Sequence, residues 1–345
     1  MKDPIMKIDA ELGTIGLADV EEQARKLEQS GFDAVWTFEA SHDPFLPLLA
    51  VARATERLEF GTNISVAFGR SPFAMALVAW DLQDVSGGRF HLGLGTQVRA
   101  HVERRFSSTF EHPAARITDY IRCLHAIWEC YQTNERPRYK GPYYQFTLIN
   151  EAFNPGPISH PKIPVYLAGV NERMCRAAGE VADGFHVHPM HSTGYLRDIV
   201  RPAIDAGAKS RGMKVDDLSL HASVFAIVGD TAAERQKSEE TIRAQVAFYA
   251  STPSYRALLG YHGLEELGPK LSQLMRQGEL AAMPALVPDS LMDAVTVSAR
   301  QADLPALLRQ RYDGLLQRVA LYYPVPSGDP VARWADFTAD FRRAA

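Results

Sequence analysis

Cysteine is scarce in this 345-residue chain, and Cys123, Cys130 and Cys175 form no CxxC pair and no metal-type spacing. That excludes a disulfide framework and a dithiol or zinc-ribbon centre, and fits a reducing cytoplasm. Cys123 and Cys130 are seven apart, which on a helix is one face, where a thiol behaves as a small apolar core group. No run approaches about 18 uninterrupted apolar residues, and the opening MKDPIMKIDAELG lacks the basic-then-apolar order of a signal peptide. Charge of one sign is not in excess either. The 37 Lys and Arg against 41 Asp and Glu leave a formal net charge of −4, which marks neither a nucleic-acid binder nor a membrane-surface binder. The expectation is a soluble, cytoplasmic protein with small-molecule partners.

What is present is an ordinary globular composition, 46% hydrophobic and 23% charged, long enough for one large core or two average domains. Short β-type runs alternate with helical patterns. The runs are 5–10 (IMKIDA), 32–38 (FDAVWTF), 58–66 (LEFGTNISV), 89–95 (RFHLGLG), 163–168 (IPVYLA), 184–188 (GFHVH), 218–228 (LSLHASVFAIV) and 318–323 (RVALYY). Between them, residues 17–30 place Leu17, Val20, Ala24 and Leu27 on one stripe and stop at Gly31. Residues 72–85 start with the N-cap and N1 pair Ser71-Pro72, and residues 113–131 start at Pro113 with Ile117, Ile121, Leu124 and Trp128 aligned. Such alternation predicts a parallel sheet, and eight units predict a TIM barrel, with an open doubly wound sheet as the alternative. Two spacings exceed what a bare barrel needs, 97–162 after strand four and 230–317 after strand seven. One α/β domain over 1–345 with insertions at those places is expected, the 230–317 stretch reading as helical at 231–250, 264–277 and 303–317.

The stretch SGGRFHLGLGT (86–96) tests for a nucleotide fold. A dinucleotide fingerprint needs a third glycine after Gly93 and Gly95, and Val98 stands there instead. The competing reading is a barrel strand whose glycines admit a flat ring, followed by a loop of backbone N–H donors.

These residues resemble the fourth-strand signature of the luciferase-like monooxygenase superfamily, TIM barrels that bind FMN or the deazaflavin coenzyme F420. GFDAVWTFEASHDPF is similar to its second strand and catalytic loop, and LEFGTNISVAFGRSP to its third strand and the Pro that follows. IPVYLAGVNERMCRAAGEVADGF is similar to the fifth strand, its helix and the entry to strand six. The likeness runs in order from about residue 5 to 230 and returns at the last strand, closest to the F420-dependent branch.

The resemblance implies hydride transfer between F420 and an organic, apolar substrate, with reductase-fed FMN monooxygenation as the alternative, and a homodimer. It implies a non-prolyl cis peptide at Asn63–Ile64 supporting the cofactor ring. Gly95, Thr96, Gln97 and Val98 would follow the ribityl chain and phosphate, and Ala168, Gly169, Val170 and Arg173 would face the phosphate at a helix start. His42 falls beside the ring's reactive carbon as proton donor or acceptor, with Glu39 orienting it or acting alone. His188, ending strand six, would face the substrate. The chain departs from the pattern at Gln97-Val98, where relatives carry Gly-Glu with a catalytic Glu. It departs again at Val170 for a glycine and at Ser41 for the Asp before the His.

Other features have competing readings. Asp43 before Pro44 is a turn residue. His186 and His188 in FHVHPMH share a strand face and suit zinc, yet the metal-dependent hydrolase pattern carries HxH on strand one, so the expectation is no metal. Arg99, Arg104, Arg105 and Arg70 form either a solvated face or a basic rim for the polyglutamate tail of F420. Tyr143, Tyr144, Phe146, Phe153, Tyr249 and Tyr255 line loops that would shape a hydrophobic pocket or pack insertions onto the barrel. Two further classes remain: a cofactor-binding protein without turnover, and a metal-dependent barrel hydrolase using His186, His188 and a carboxylate.

Overall fold

The computed structural model describes residues 6–344. Eight parallel strands form the barrel: β1 (Lys7–Glu11), β2 (Ala34–Thr37), β3 (Glu59–Thr62), β4 (Phe90–Gly95), β5 (Val165–Gly169), β6 (Gly184–Val187), β7 (Ser219–Val228) and β8 (Arg318–Leu321). Each pairs with the next, and β8 returns to β1 with Arg318 opposite Lys7, so the sheet closes without an edge. All eight runs read from the sequence are barrel strands; Ile5, at the start of the first, lies outside the described residues.

The helices start where capping chemistry places them. Ser71 Oγ accepts from Ala74 N at 3.2 Å at the head of Pro72–Val85, and Pro113–Thr133 buries Ile117, Ile121, Leu124 and Trp128. Cys123 and Cys130 are buried on that helix, as small apolar groups should be. Two expectations need correction. Leu17 is not on the buried stripe: it lies in a 3-10 turn ahead of the helix Val20–Gln29 and is 46% exposed. The pattern at 303–317 ends early, because helix Leu304–Tyr312 gives way to Gly314 at φ +68°. A short strand, Thr296–Ala299, pairs with the outer half of β7 and was not apparent in the sequence.

Alternation along the strands separates two environments. Ile8, Val35, Phe60, Leu92, Val165, Phe185, Leu220 and Val319 join the apolar layer beneath the helices. Asp9, Trp36, His91, Tyr166, His186, His221 and Arg318 alternate with them and fill the lumen with a polar, aromatic plug. Arg318 grips Asp9 through two bonds of 2.7 and 2.9 Å and Glu59 at 2.6 Å, while Trp36 Nε1 donates to Asp9 at 2.9 Å. Burial alone would raise the Glu59 pKa; Arg318, His91 and Lys7 outweigh it and hold it at about 2. The plug closes the N-terminal half of the lumen, leaving the C-terminal strand ends to form the mouth. Among the described residues no helix is long and apolar enough to cross a membrane.

Candidate functional site at the barrel mouth

The Asn63–Ile64 peptide is cis, and it joins β3 to the short strand Ser65–Val66 that lies against Leu94 and Gly95. A Cβ on Gly95 would stand 2.8 Å from Ile64 Cδ1, and one on Gly93 only 1.7 Å from the Thr62 carbonyl oxygen. The glycines of LGLGT therefore admit the chain's own β3 and Ile64, not a ring pressed onto strand four. Asn63 and Ile64 are half-buried at the mouth.

Asn63 Nδ2 donates to Glu11 Oε1 at 3.2 Å, and Ser223 Oγ donates to the same oxygen at 2.6 Å. Glu11, at the end of β1, is 6% exposed. Burial pushes its pKa up to about 8, against the lowering by Ser223 and Asn63, so the carboxyl keeps its proton through neutral pH. A buried carboxyl with a perturbed pKa at a strand end is a functional-site signature. Sequence reasoning missed it; the one signal was the alternation of charged and apolar residues in KIDAE, which puts Lys7, Asp9 and Glu11 on one strand face.

At the end of β2 the two residues expected to act together are apart. His42 is exposed and makes no side-chain hydrogen bond among the described residues. The Glu39 carboxylate accepts from Val66 N at 2.7 Å, Ser65 Oγ at 3.2 Å and Arg70 Nη1 at 2.7 Å. Arg70 also reaches Asp43 Oδ2 at 2.7 Å, and Asp43 Oδ1 takes the Phe45 N–H at 2.8 Å as a turn residue does. Glu39 thus anchors a loop and is not bonded to His42, and Arg70 is committed to two carboxylates instead of a basic rim.

Around β4 and β5, Thr96 and Gln97 are half-buried and Val98 is 37% exposed. Gln97 adopts φ +56°, and its Oε1 lies 3.2 Å from His101 Nδ1. Ala168, Gly169 and Val170 are half-buried, and Asn171 Oδ1 caps Met174 N at 3.0 Å at the head of helix Glu172–Val181. Arg173 is exposed on that first turn without an ion pair among the described residues; Arg104 and Arg105, at the C-terminal end of helix Arg99–Arg104, are likewise exposed and unpaired, whereas Arg99 is paired with Glu103.

The histidines of FHVHPMH take three separate roles. His186 lies in the lumen, stacked on Tyr166 at 4.9 Å with its Nδ1 3.0 Å from His221 Nδ1; burial first, then His221, pushes its pKa far down. His191 is spent on the His188 carbonyl and the Tyr312 hydroxyl. His188 faces the mouth, 2.7 Å from the Tyr255 hydroxyl, with burial pushing its pKa down to about 3. Among the described residues no three His, Cys, Asp or Glu side chains converge as metal ligands would. Of the aromatic loop residues, Tyr249 and Tyr255 stand by His188, while Tyr144 and Phe146 pack on Tyr120 and Phe73.

The mouth is thus ringed by half-buried residues at the ends of β3 to β5, Asn63, Ile64, Thr96, Gln97, Ala168, Gly169 and Val170, with the buried Glu11 carboxyl bonded to Asn63 and a tyrosine wall around His188.

Known proteins share this frame. An uncharacterized protein of Mycobacterium tuberculosis is 42% identical over 303 residues, covering 88% of this chain and 89% of that one. A 5,10-methylenetetrahydromethanopterin reductase of Methanolobus tindarius is 26% identical over 325 residues, covering 92% of this chain and 90% of the relative. The solved coenzyme F420-dependent tetrahydromethanopterin reductase of Methanopyrus kandleri has the same fold, with a TM-score of 0.79 at 19% identity over 97% of this chain and 98% of that one. The sequence profile of the luciferase-like monooxygenase family matches residues 6–318, and the chain belongs to that family, an oxidoreductase family built on the TIM barrel.

Proposed function

We propose that this protein transfers a hydride between coenzyme F420 and an uncharged organic substrate at the barrel mouth. The observation that carries the reading is the set of half-buried strand-end residues around the mouth, Asn63, Ile64, Thr96, Gln97, Ala168, Gly169 and Val170, next to the buried Glu11 carboxyl that accepts from Asn63 Nδ2. A planar ring fits such a surface, and the mouth supplies the hydrogen-bonding groups a deazaflavin needs. Asn63 and Ile64 would hold the ring. Thr96, Gln97 and Val98 would follow the side chain, and Gly169, Val170 and the exposed Arg173 would meet the phosphate. When bound, F420 supplies a two-electron hydride carrier.

The chain's own part is positioning and proton handling. His42, free of partners on an exposed loop, gives or takes the substrate proton. Glu39, bound by Arg70 and the 65–66 segment, holds the loop that carries His42. Glu11 keeps a neutral acid against the ring site, where a fixed negative charge would oppose hydride arrival. The F420-dependent reductase of Methanopyrus kandleri named above supports F420 over FMN, and membership of the luciferase-like monooxygenase family keeps an FMN-dependent monooxygenase as the second reading.

A fluorescence titration of the purified protein with F420 and, separately, with FMN tests this. Saturable binding of F420 with weaker or no binding of FMN is expected. Preference for FMN moves the assignment to the monooxygenase, and binding of neither defeats the cofactor reading.

A further inference from the structure

One buried hydroxyl proton at the mouth, that of Tyr255, has no acceptor among the described residues. Met190 N–H donates to His188 Nδ1 at 3.1 Å, so that nitrogen offers a lone pair and the ring proton resides on Nε2. Nε2 lies 2.7 Å from Tyr255 Oη; the imidazole therefore donates and the phenol oxygen accepts. The hydroxyl hydrogen of Tyr255 is left with no acceptor among the described residues, although the residue is only 8% exposed. A buried tyrosine hydroxyl ordinarily finds an acceptor.

The surroundings say what kind of acceptor fits. The Tyr249 ring stands 4.5 Å from that of His188 and 5.8 Å from that of Tyr255, and its hydroxyl is tied to the Tyr322 hydroxyl at 2.8 Å. Phe225 extends the wall at 4.7 Å from Tyr322. No Lys or Arg hydrogen-bonds to any member of this wall among the described residues, so it lacks the charge that would hold a carboxylate or phosphate. The wall offers apolar ring faces and two donors without an acceptor among the described residues: the buried Tyr255 hydroxyl, and whichever of the half-buried Tyr249 and Tyr322 hydroxyls accepts in their pair. The Tyr255 donor is the one shut away from water, so it is the one that most needs an acceptor from a ligand.

We propose that Tyr255 donates a hydrogen bond to a carbonyl oxygen of a flat, uncharged substrate lying against Tyr249, and that His188 is the positioning residue that turns the phenol outward. This inference rests on the mouth being the substrate site of the proposed oxidoreductase. It adds a specificity determinant from the 230–317 region, which shares no residue with the segments assigned to the cofactor.

The test compares acetophenone with ethylbenzene, which keeps the ring but lacks the oxygen, by ligand-observed NMR titration of the whole protein with and without F420. The wild-type protein is expected to favour acetophenone by about 5- to 10-fold, the worth of one hydrogen bond. Tyr255→Phe is expected to bind the two equally, with ethylbenzene affinity and F420 affinity unchanged. His188→Phe is expected to lose the preference in the same way, and His188→Gln, whose amide N–H replaces Nε2–H, to restore part of it. A purely structural role for His188 would not separate those two variants. Retention of the preference in Tyr255→Phe, no preference in the wild type, or binding of neither probe overturns the proposal. Failure of F420 to bind overturns the functional reading instead, because the probe preference is still read in the cofactor-free protein.

Discussion

Arg70 Nη1 sits 2.7 Å from both carboxylate oxygens of Glu39, while its Nη2 holds Asp43 at the same distance. This clasp ties the end of β2 to the segment after β3, and it sets the geometry of the loop bearing His42.

Removing the carboxylate should therefore cost stability before it costs chemistry. Glu39→Ala leaves the Val66 N–H without its acceptor and Arg70 with Asp43 alone in a partly buried place, where side-chain exposures are 22% and 10% for Arg70 and Glu39. Breaking a fully buried pair costs about 3–5 kcal/mol, and the partial exposure here reduces that to about 2 kcal/mol. Urea unfolding measures it. A change below about 0.5 kcal/mol would release Glu39 from the anchoring role and return it to the list of proton carriers.

His42→Ala should behave in the opposite way. The side chain is exposed and unpartnered, so stability should stay within about 0.5 kcal/mol of wild type. F420 affinity should be preserved, and turnover of the first accepted substrate should fall by about 100-fold or more, the worth of a positioned proton donor. Stopped-flow absorbance of F420 reports the rate, and an unchanged rate would remove His42 from the mechanism.

The sequence was informative wherever neighbours in the chain decide the outcome. Each barrel strand is an apolar or β-branched run closed by turn residues, and Pro72 and Pro113 mark helix starts that the structure keeps. Contacts made by closing the barrel were not legible. Glu11 and Ser223 are 212 residues apart, His188 and Tyr255 67, and Arg70 and Glu39 31. Glu39 could be recognised as an acid at a strand end, but the cation that occupies it could not. The lumen was hidden for a related reason: period-two alternation shows which residues share a face, yet not that the inward face would hold Asp9, His91, His186, His221 and Arg318 together.

Two glycine substitutions separate scaffold from site within one strand. In Gly93→Ala the new Cβ meets the Thr62 backbone oxygen at 1.7 Å, and backbone cannot move without disturbing the β3–β4 pairing. The loss should exceed the 1–3 kcal/mol usual for overpacking, about 4 kcal/mol or more. In Gly95→Ala the nearest atoms are the tip of the Ile64 side chain at 2.8 Å, which can rotate away. That variant should fold with a loss of about 1 kcal/mol and bind F420 at least several-fold more weakly, because Ile64 moves. Thermal melts and the fluorescence titration together check the pair; equal F420 affinity in Gly95→Ala would separate Ile64 from the cofactor.

Glu11 makes stability depend on pH in an unusual direction for a carboxyl. Its folded-state value of about 8 lies above the ordinary 4.5 because burial favours the neutral acid. Between those two values the native protein holds a proton that the unfolded chain has released. The stabilisation is complete below the lower value, and it is lost as pH rises through the window, by about 1.4 kcal/mol per pH unit, until both states are ionised. Glu11→Gln keeps a neutral side chain of the same size beside Ser223 and Asn63 at every pH. The stability difference between the variant and the wild type should therefore grow in favour of Gln from about pH 5 to pH 8 and level off above that. Urea melts of both proteins across that range measure it, and parallel curves would mean that Glu11 titrates as an ordinary carboxylate and leaves the mouth negatively charged at neutral pH.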